Sequence, residues 1–487
     1  MKKLKDILYK VPIEAVYGST NTNISQVIFD SRKVGKDDLF VAQKGVALNG
    51  HQFISRAIQQ GASGIICEDL PVEKVEGITF VQVRDSNQAL AIVASNFYDN
   101  PSSKLKLIGI TGTNGKTTIA SLSHQLFCRA GYKTGLLSTV KILIHQKEYI
   151  TTHTTPDAVT INKYLYEMVE SGVMYCFMEV SSHGIHQKRT EGLEFTGGVF
   201  TNLSHDHLDY HKTFAEYRDV KKSFFDSLPK KAFVITNIDD KNGNVMVQNT
   251  QAKKRTYALR TLADYRAKII EKRFSGTLLS IQGTEVWTKL IGTFNVYNIL
   301  AIISISNELG LDQFNVLTIL SELESVSGRF QHMLSEKGVT AIVDYAHTPD
   351  ALKNVLETIN DIRTDNEKLI TVVGCGGDRD RAKRPKMAHI ASQLSNQVIF
   401  TSDNPRTEDP QTILEQMEAG VSPENYKKTI TISDRRQAIK TACTLSESGD
   451  ILLIAGKGHE TYQEINGKRF HFDDLEEVTQ CFERLKK

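Results

Sequence analysis

Short apolar runs rich in β-branched residues recur along the chain, each closed by a glycine or polar break and followed by a helix-length stretch. Between residues 24 and 68 the runs ISQVIF, DLFVA and GIIC alternate with the helical stretch ISRAIQQGA. The run ITFVQV and the helix NQALAIVASNFYD follow. Asn100-Pro101-Ser102-Ser103 then stops the helix and marks a first joint, because proline cannot continue it. From Lys104 the order is strand, glycine-rich turn, helix: KLKLIGI, TGTNGKTT, then IASLSHQLFCRAG ending at Gly131. Further strand runs are CFMEV, GGVFTNL and AFVITN. A second joint falls near Ser327-Gly328-Arg329, and a fresh series begins with VTAIVDYA, a helix from Pro349 to Ile359, LITVVGCGG, QVIFTSDNP and DILLIAGKG. Strands alternating with helices predict parallel sheets covered on both faces. The glycine or polar ends of the last strands suit ligand loops at the carboxyl edge of a doubly wound sheet.

Length and charge narrow the class. At about 100–200 residues per domain, 487 residues make about three domains, each able to bury a core. The net charge of +2 argues against a protein that lives on phosphate neutralisation along nucleic acid. No apolar run approaches the about 18 residues a membrane span needs. The start, MKKLKDILYKVP, lacks the apolar stretch and cleavage site of a signal peptide. Six cysteines without a CxxC pair suggest neither a disulfide framework nor a structural zinc site, which places the chain in the cytoplasm.

The chemistry concentrates at strand ends. Gly112-Thr113-Asn114-Gly115-Lys116-Thr117-Thr118 follows a strand and opens a helix, so backbone N–H groups and the helix N-terminus would cradle phosphate oxygens. Lys116 would add a charge and Thr117 a Mg²⁺-facing hydroxyl, although Ile110 stands where the standard phosphate loop has its first glycine. Glu179, ending CFMEV, reads either as a Mg²⁺ ligand or as a solvated loop acid. The stretch Thr201-Asn202-Leu203-Ser204-His205-Asp206-His207-Leu208-Asp209-Tyr210-His211 suits zinc by its histidines, but phosphate chemistry nearby favours magnesium. Arg379 in GGDRDR and Arg406 in DNPR are candidates to grip an acidic substrate, or are surface ion pairs.

Taken in order, TGTNGKTT, MEVSSHG, TNLSHDHLDYH, GTFNVYN, SGRF, DYAHTPD, GGDRD, DNPRTEDP and GKGHETYQ resemble the motifs of the Mur ligases, ATP-dependent amino-acid-adding enzymes of peptidoglycan synthesis. The shortened phosphate loop is itself characteristic of that family. The N-terminal DSRKVGKDDLFVAQKG looks like the UDP-sugar domain of the member that adds the third residue to UDP-N-acetylmuramoyl-L-alanyl-D-glutamate. The resemblance implies three α/β domains: a UDP-MurNAc-binding domain over 1–102, a central P-loop-type parallel-sheet ATPase domain over 103–328, and a C-terminal Rossmann-like amino-acid-binding domain over 329–487.

It also implies roles. The phosphate loop, Asn298 and Arg329 would bind ATP. Ser31, His153, Thr154, Thr155, Ser181, Gln187 and Arg189 would bind the UDP-muramoyl-peptide. Arg379, Asp403, Asn404, Pro405, Arg406, Gly456 and Glu460 would bind diaminopimelate, because DNPR marks the diaminopimelate-adding members and lysine-adding relatives lack the arginine. Arg406 would hold the distal carboxylate, with Asp403 and Glu460 facing the ammonium. Lys116, Glu179, His207 and Lys221 would be catalytic. Mg²⁺ would lie near Thr117, Glu179, His207 and Lys221, the lysine that becomes N-carboxylated in the family; from its surroundings alone Lys221 reads as a helix-face lysine. His153 and Gln331 depart from the commoner asparagine and glutamate. The expected partners are small molecules only (ATP, the UDP-muramoyl-dipeptide, meso-diaminopimelate), met by a monomer without nucleic acid or membrane. A folylpolyglutamate synthetase shares the phosphate loop but explains neither the N-terminal domain nor DNPR. A regulatory ATPase would use the same turn without an amino acid.

Overall fold

The computed structural model describes residues 1–45, 48–151, 153–204, 206, 210–364 and 366–487, and its three main sheets follow one another along the chain. The first has five strands in the order Ile13–Tyr17, Thr79–Val83, Ala62–Cys67, Asp38–Val41, Val27–Ile28, parallel except for the edge strand Ile13–Tyr17. Helix Ser86–Phe97, capped by the Asp85 carboxylate on the Gln88 N–H, covers one face with Ala89, Leu90 and Val93.

The second sheet has eleven strands. Its parallel heart runs Thr134–Leu137, Tyr175–Glu179, Lys106–Thr111, Gly197–Phe200, Phe233–Asn237, Lys253–Ala258. Lys106–Thr111, Tyr175–Glu179 and Phe233–Asn237 are almost wholly buried because helices lie on both faces, which is why they read as apolar runs, whereas Lys253–Ala258 begins with exposed lysines. Helices Lys116–Arg129 and Thr293–Glu308 pack on one face, helices Ala158–Glu170 and Phe214–Asp226 on the other. From Lys106–Thr111 the chain first builds the strands on one side and then crosses to Gly197–Phe200 on the other. The carboxyl end of Lys106–Thr111 is therefore a topological switch point, where parallel sheets open a crevice for ligands. Beyond Lys253–Ala258 the sheet continues into Tyr265–Arg273, Gly276–Ile281 and Thr284–Thr288, the last two antiparallel.

The third sheet orders Gln331–Leu334, Thr340–Asp344, Ile451–Ala455, Leu369–Val373, Gln397–Phe400, Thr429–Thr431, with only the first strand antiparallel. Helix Pro349–Ile362 begins with proline at its first position and Thr348 as cap, the arrangement a fixed φ and a missing N–H favour. Among the described residues no helix is long and apolar enough to cross a membrane.

Candidate active site

The phosphate loop is shaped by two glycines that no other residue replaces without strain. Gly112 has φ 151° and a Cβ there would sit 1.8 Å from Thr201 Oγ1; Gly115 has φ 89° and a Cβ would meet Asn298 Oδ1 at 2.6 Å. Thr201 Oγ1 and Asn202 Nδ2 donate to the Asn114 carbonyl at 2.7 and 3.1 Å, fastening the loop to the neighbouring strand end. Lys116 Nζ donates to the Gly112 and Thr113 carbonyls at 2.9 and 2.7 Å. Burial lowers the basicity of this ammonium, against the pull of Glu179 and Asp206.

Glu179 is fully buried and is the centre of a ring of oxygen donors. Its Oε2 accepts from Thr117 Oγ1 and Thr139 Oγ1, each at 3.1 Å, and its Oε1 accepts from the Thr139 N–H at 2.8 Å. With its proton on Glu179, Thr139 Oγ1 accepts from the Thr154 hydroxyl at 3.1 Å. Thr155 Oγ1 donates to the Glu179 carbonyl and accepts from the Ser181 N–H, both at 2.9 Å. Arg189 donates to the Thr155 carbonyl at 2.6 Å and to Gln187 Oε1. Ser181 caps the helix Ser182–His186 by accepting from the Gly184 N–H. Arg189 and burial both depress the basicity of His153, burial more. Six of the seven residues expected to meet the UDP-muramoyl-peptide thus lie around one strand end. Ser31 lies in a short turn of the first sheet, and among the described residues no hydrogen bond joins it to this cluster.

Lys221, on helix Phe214–Asp226, is only 1% exposed, which removes it from the solvated helix face its surroundings suggest. Its Nζ donates to the Gly112 carbonyl at 3.0 Å and lies 4.9 Å from the Tyr217 ring centroid. Burial, and then the charge of Lys116, hold its basicity well below that of an ordinary lysine. The donor set suits a hard cation: a carboxylate and hydroxyls converge, and Mg²⁺ takes few protein ligands because it keeps waters and substrate phosphates. Among the described residues no three His, Cys, Asp or Glu side chains cluster to hold a metal by themselves. His207 lies outside the described residues, as do His205 and Asp209 of the same motif.

A cleft of about 470 Å³ opens beside the loop, lined by Asn114, Gly115, Thr118, Asn298, Arg329 and Asp350 among others. Two contacts cross from the second sheet to the third here. Asn114 Nδ2 donates to Asp350 Oδ2 at 3.1 Å, and an Arg329 guanidinium nitrogen donates to Thr117 Oγ1 at 3.1 Å. Arg329 stacks 4.6 Å from the Tyr345 ring centroid, and its buried Nε has no hydrogen-bond partner among the described residues, a donor a phosphate or ribose oxygen would satisfy. Asp344, whose carboxyl burial raises to about 6, accepts from the Phe330 N–H at 2.6 Å and holds the turn that carries Arg329.

The carboxyl edge of the third sheet gathers the remaining residues. Asp403, Asn404, Pro405 and Arg406 follow the strand Gln397–Phe400; Gly456 and Glu460 follow Ile451–Ala455; Arg379 stands exposed on the loop after Leu369–Val373. Arg406, at φ 52°, is held by its N–H on the Glu464 carbonyl at 3.0 Å and donates to the Gly377 carbonyl at 2.7 Å. Burial and Asp403 raise the Glu460 carboxyl, while Lys457 and Asn404 oppose the rise. Three residues here receive no role from the sequence: Thr139, and, inside quoted motifs, Asp350 and the fully buried Lys457 between Gly456 and Gly458. A lysine between two glycines reads as loop, and only its neighbours in GKGHE signal a site.

Family models match in chain order: the Mur ligase family, catalytic domain, over residues 23–98, the Mur ligase middle domain over 110–306, and the Mur ligase, glutamate ligase domain over 328–458. The chain is 53% identical to the UDP-N-acetylmuramoyl-L-alanyl-D-glutamate--2,6-diaminopimelate ligase of Cytophaga hutchinsonii over 486 residues, all of both chains. It is 52% identical to the ligase of the same name from Bacteroides thetaiotaomicron, over 98% of this chain and 99% of the relative. A solved structure of a UDP-N-acetylmuramoyl-L-alanyl-D-glutamate--2,6-diaminopimelate ligase superposes with TM-score 0.71 at 33% identity, covering 100% of this chain and 99% of that one. The chain belongs to the Mur ligase family. It is an ATP-dependent ligase that forms amide bonds.

Proposed function

We propose that this ligase joins meso-2,6-diaminopimelate to the D-Glu γ-carboxylate of UDP-N-acetylmuramoyl-L-alanyl-D-glutamate, using ATP, in cytoplasmic peptidoglycan precursor synthesis. The observation that carries the reading is the carboxyl edge of the third sheet, where one loop carries both Arg406, its guanidinium on the Gly377 carbonyl, and the buried Asp403 carboxylate. That pairing of charges answers the distal carboxylate and ammonium of diaminopimelate. Full-length relatives that bear the corresponding name support it.

A carboxylate resists attack by an amine, so it must first acquire a leaving group. An oxygen of the γ-carboxylate attacks the γ-phosphorus of ATP, the bond to ADP breaks, and ADP leaves with the electron pair. The diaminopimelate amine then attacks the acyl carbon, the carbon–oxygen bond to phosphate breaks, and the nitrogen loses its proton. Catalysis is mostly positioning and charge neutralisation. The loop Gly112–Thr118 offers N–H groups to the phosphates and Lys116 offsets their charge, while Asn298 and Arg329 hold the nucleotide. Ser31, His153, Thr154, Thr155, Ser181, Gln187 and Arg189 bind the UDP-muramoyl-peptide; Arg379, Asp403, Asn404, Pro405, Arg406, Gly456 and Glu460 form the diaminopimelate pocket. Mg²⁺, held by Thr117, Glu179, His207 and Lys221, would supply further neutralisation at the phosphates. Lys221 serves as a carbamate: its ammonium loses one proton, the neutral amine adds to CO₂ with loss of a second, and the anionic carbamate would offer oxygen to Mg²⁺. Residues 1–102, 103–328 and 329–487 divide the work into UDP-sugar, ATP and amino acid, in a monomer that needs no nucleic acid or membrane.

The test is phosphate release with each substrate omitted in turn. Release should require ATP, UDP-muramoyl-dipeptide and diaminopimelate together; steady release from ATP alone would overturn the proposal.

A further inference from the structure

Lys457 is the buried cation of the diaminopimelate pocket, and its contacts divide the two acidic residues into different roles. Its Nζ lies 3.3 Å from Glu460 Oε2 and 3.7 Å from Asp403 Oδ1, and it donates to Asn404 Oδ1 at 3.2 Å. Glu460 Oε2 also accepts from Asn404 Nδ2 at 2.8 Å, and Glu460 Oε1 accepts from the Tyr345 hydroxyl at 3.5 Å. Both Glu460 oxygens are thus engaged by protein donors. Asp403 differs. Its side chain is 8% exposed, and its Oδ1 has no hydrogen-bond partner among the described residues. Asp403 is thus the less fully engaged carboxylate, touched by Lys457 only at 3.7 Å, and is the one left short of a donor for an incoming ammonium, whereas Glu460 is the counter-charge that Lys457 occupies.

The charges can be summed. Asp403 and Glu460 bring two negative charges, and Lys457 and Arg406 two positive ones. Glu464 lies 4.0 Å from both Arg406 Nε and Arg469 Nε; Arg469, exposed, balances it. Arg435 and Asp474 behind the pocket form a buried pair at 2.7 Å that balances itself. Arg379 stands in solvent, where screening weakens it. The buried pocket is neutral as a whole, and buried charge is costly when unbalanced.

We propose that Lys457 is a specificity-determining residue, a fixed internal cation that keeps the pocket neutral so that a zwitterionic side-chain end is accepted and a purely cationic one refused. The inference rests on the diaminopimelate reading above. Diaminopimelate brings no net charge at its distal end: its ammonium meets Asp403 and its carboxylate meets Arg406. Lysine brings only an ammonium, so the pocket becomes net positive with Arg406 unmatched. Without Lys457 the pocket is net negative, and the preference moves toward the cation.

The experiment measures kcat/KM for diaminopimelate and for L-lysine with wild type, Lys457→Met, Glu460→Gln and the double variant. Lys457→Met should lower the diaminopimelate-to-lysine ratio about a hundredfold, and the double variant, neutral again, should recover about tenfold of that loss. Glu460→Gln alone should move the ratio the opposite way, because it leaves the pocket net positive; should Lys457→Met fail to fold, this single variant decides. A purely structural lysine would give no opposite shift and no recovery on adding the second substitution. An unmoved ratio in Lys457→Met, or a fall in Glu460→Gln, would overturn the role of Lys457. A wild type that does not use diaminopimelate would instead overturn the function itself.

Discussion

Lys221→Met is expected to cut the ligation rate by about a thousandfold, the scale of losing a charged group aimed at the reacting phosphate. Lys221 is buried on the helix beside the phosphate loop, its Nζ 3.0 Å from the Gly112 carbonyl. An ammonium there would add to the charge of Lys116, and burial already disfavours it. Addition of CO₂ would remove that conflict and would put an oxygen ligand in its place. Methionine fills a similar volume without a charge, so the fold should hold while turnover is lost. Wild type prepared free of CO₂ should lose activity and regain it with bicarbonate. Carbon-13 NMR after labelling should show a carbamate resonance that Lys221→Met lacks. Full activity in Lys221→Met would contradict the assignment.

Arg406→Ala is expected to lower kcat/KM for diaminopimelate by about 100–1,000-fold, with the KM for ATP unchanged. The guanidinium is held at its base, by the Glu464 carbonyl on its own N–H, and at one nitrogen by the Gly377 carbonyl, so its remaining donors are aimed rather than free to rotate. Arg406→Lys should rescue little of the loss, since an ammonium cannot reproduce a planar fork. Steady-state kinetics with both substrates varied separates these outcomes, and unchanged kinetics with diaminopimelate would remove Arg406 from the pocket.

What could be read from the chain follows from how local each signal is. Strands such as Leu369–Val373 and Ile451–Ala455 are buried on both faces, so their apolar runs are unbroken and visible. The strand Tyr265–Arg273, reading YRAKIIEKR with exposed charges along it, gives no such run, and the extension of the central sheet beyond Lys253–Ala258 is invisible until the hairpins pair. The phosphate loop is legible because its glycines, lysine and threonines are contiguous. The amino-acid pocket is not, because strand order alone brings residues 376–380, 403–406 and 456–460 together. The hydrogen bond from Asn114 to Asp350 spans 236 positions, and nothing local to either residue announces it. Lys457 carries a related lesson: its neighbours in GKGHE mark a site, but its full burial is imposed by the sheet and cannot be read from them.

The proposed activity uses ATP to couple one particular diamino acid to the muramoyl dipeptide. Its most direct test supplies ATP, UDP-N-acetylmuramoyl-L-alanyl-D-glutamate and equal concentrations of meso-diaminopimelate and L-lysine, and weighs the nucleotide product by mass spectrometry. A single product is expected, the dipeptide enlarged by one diaminopimelate residue, with one ADP and one phosphate formed for each. A lysine adduct as the main product, or ADP formed without any adduct, would contradict it.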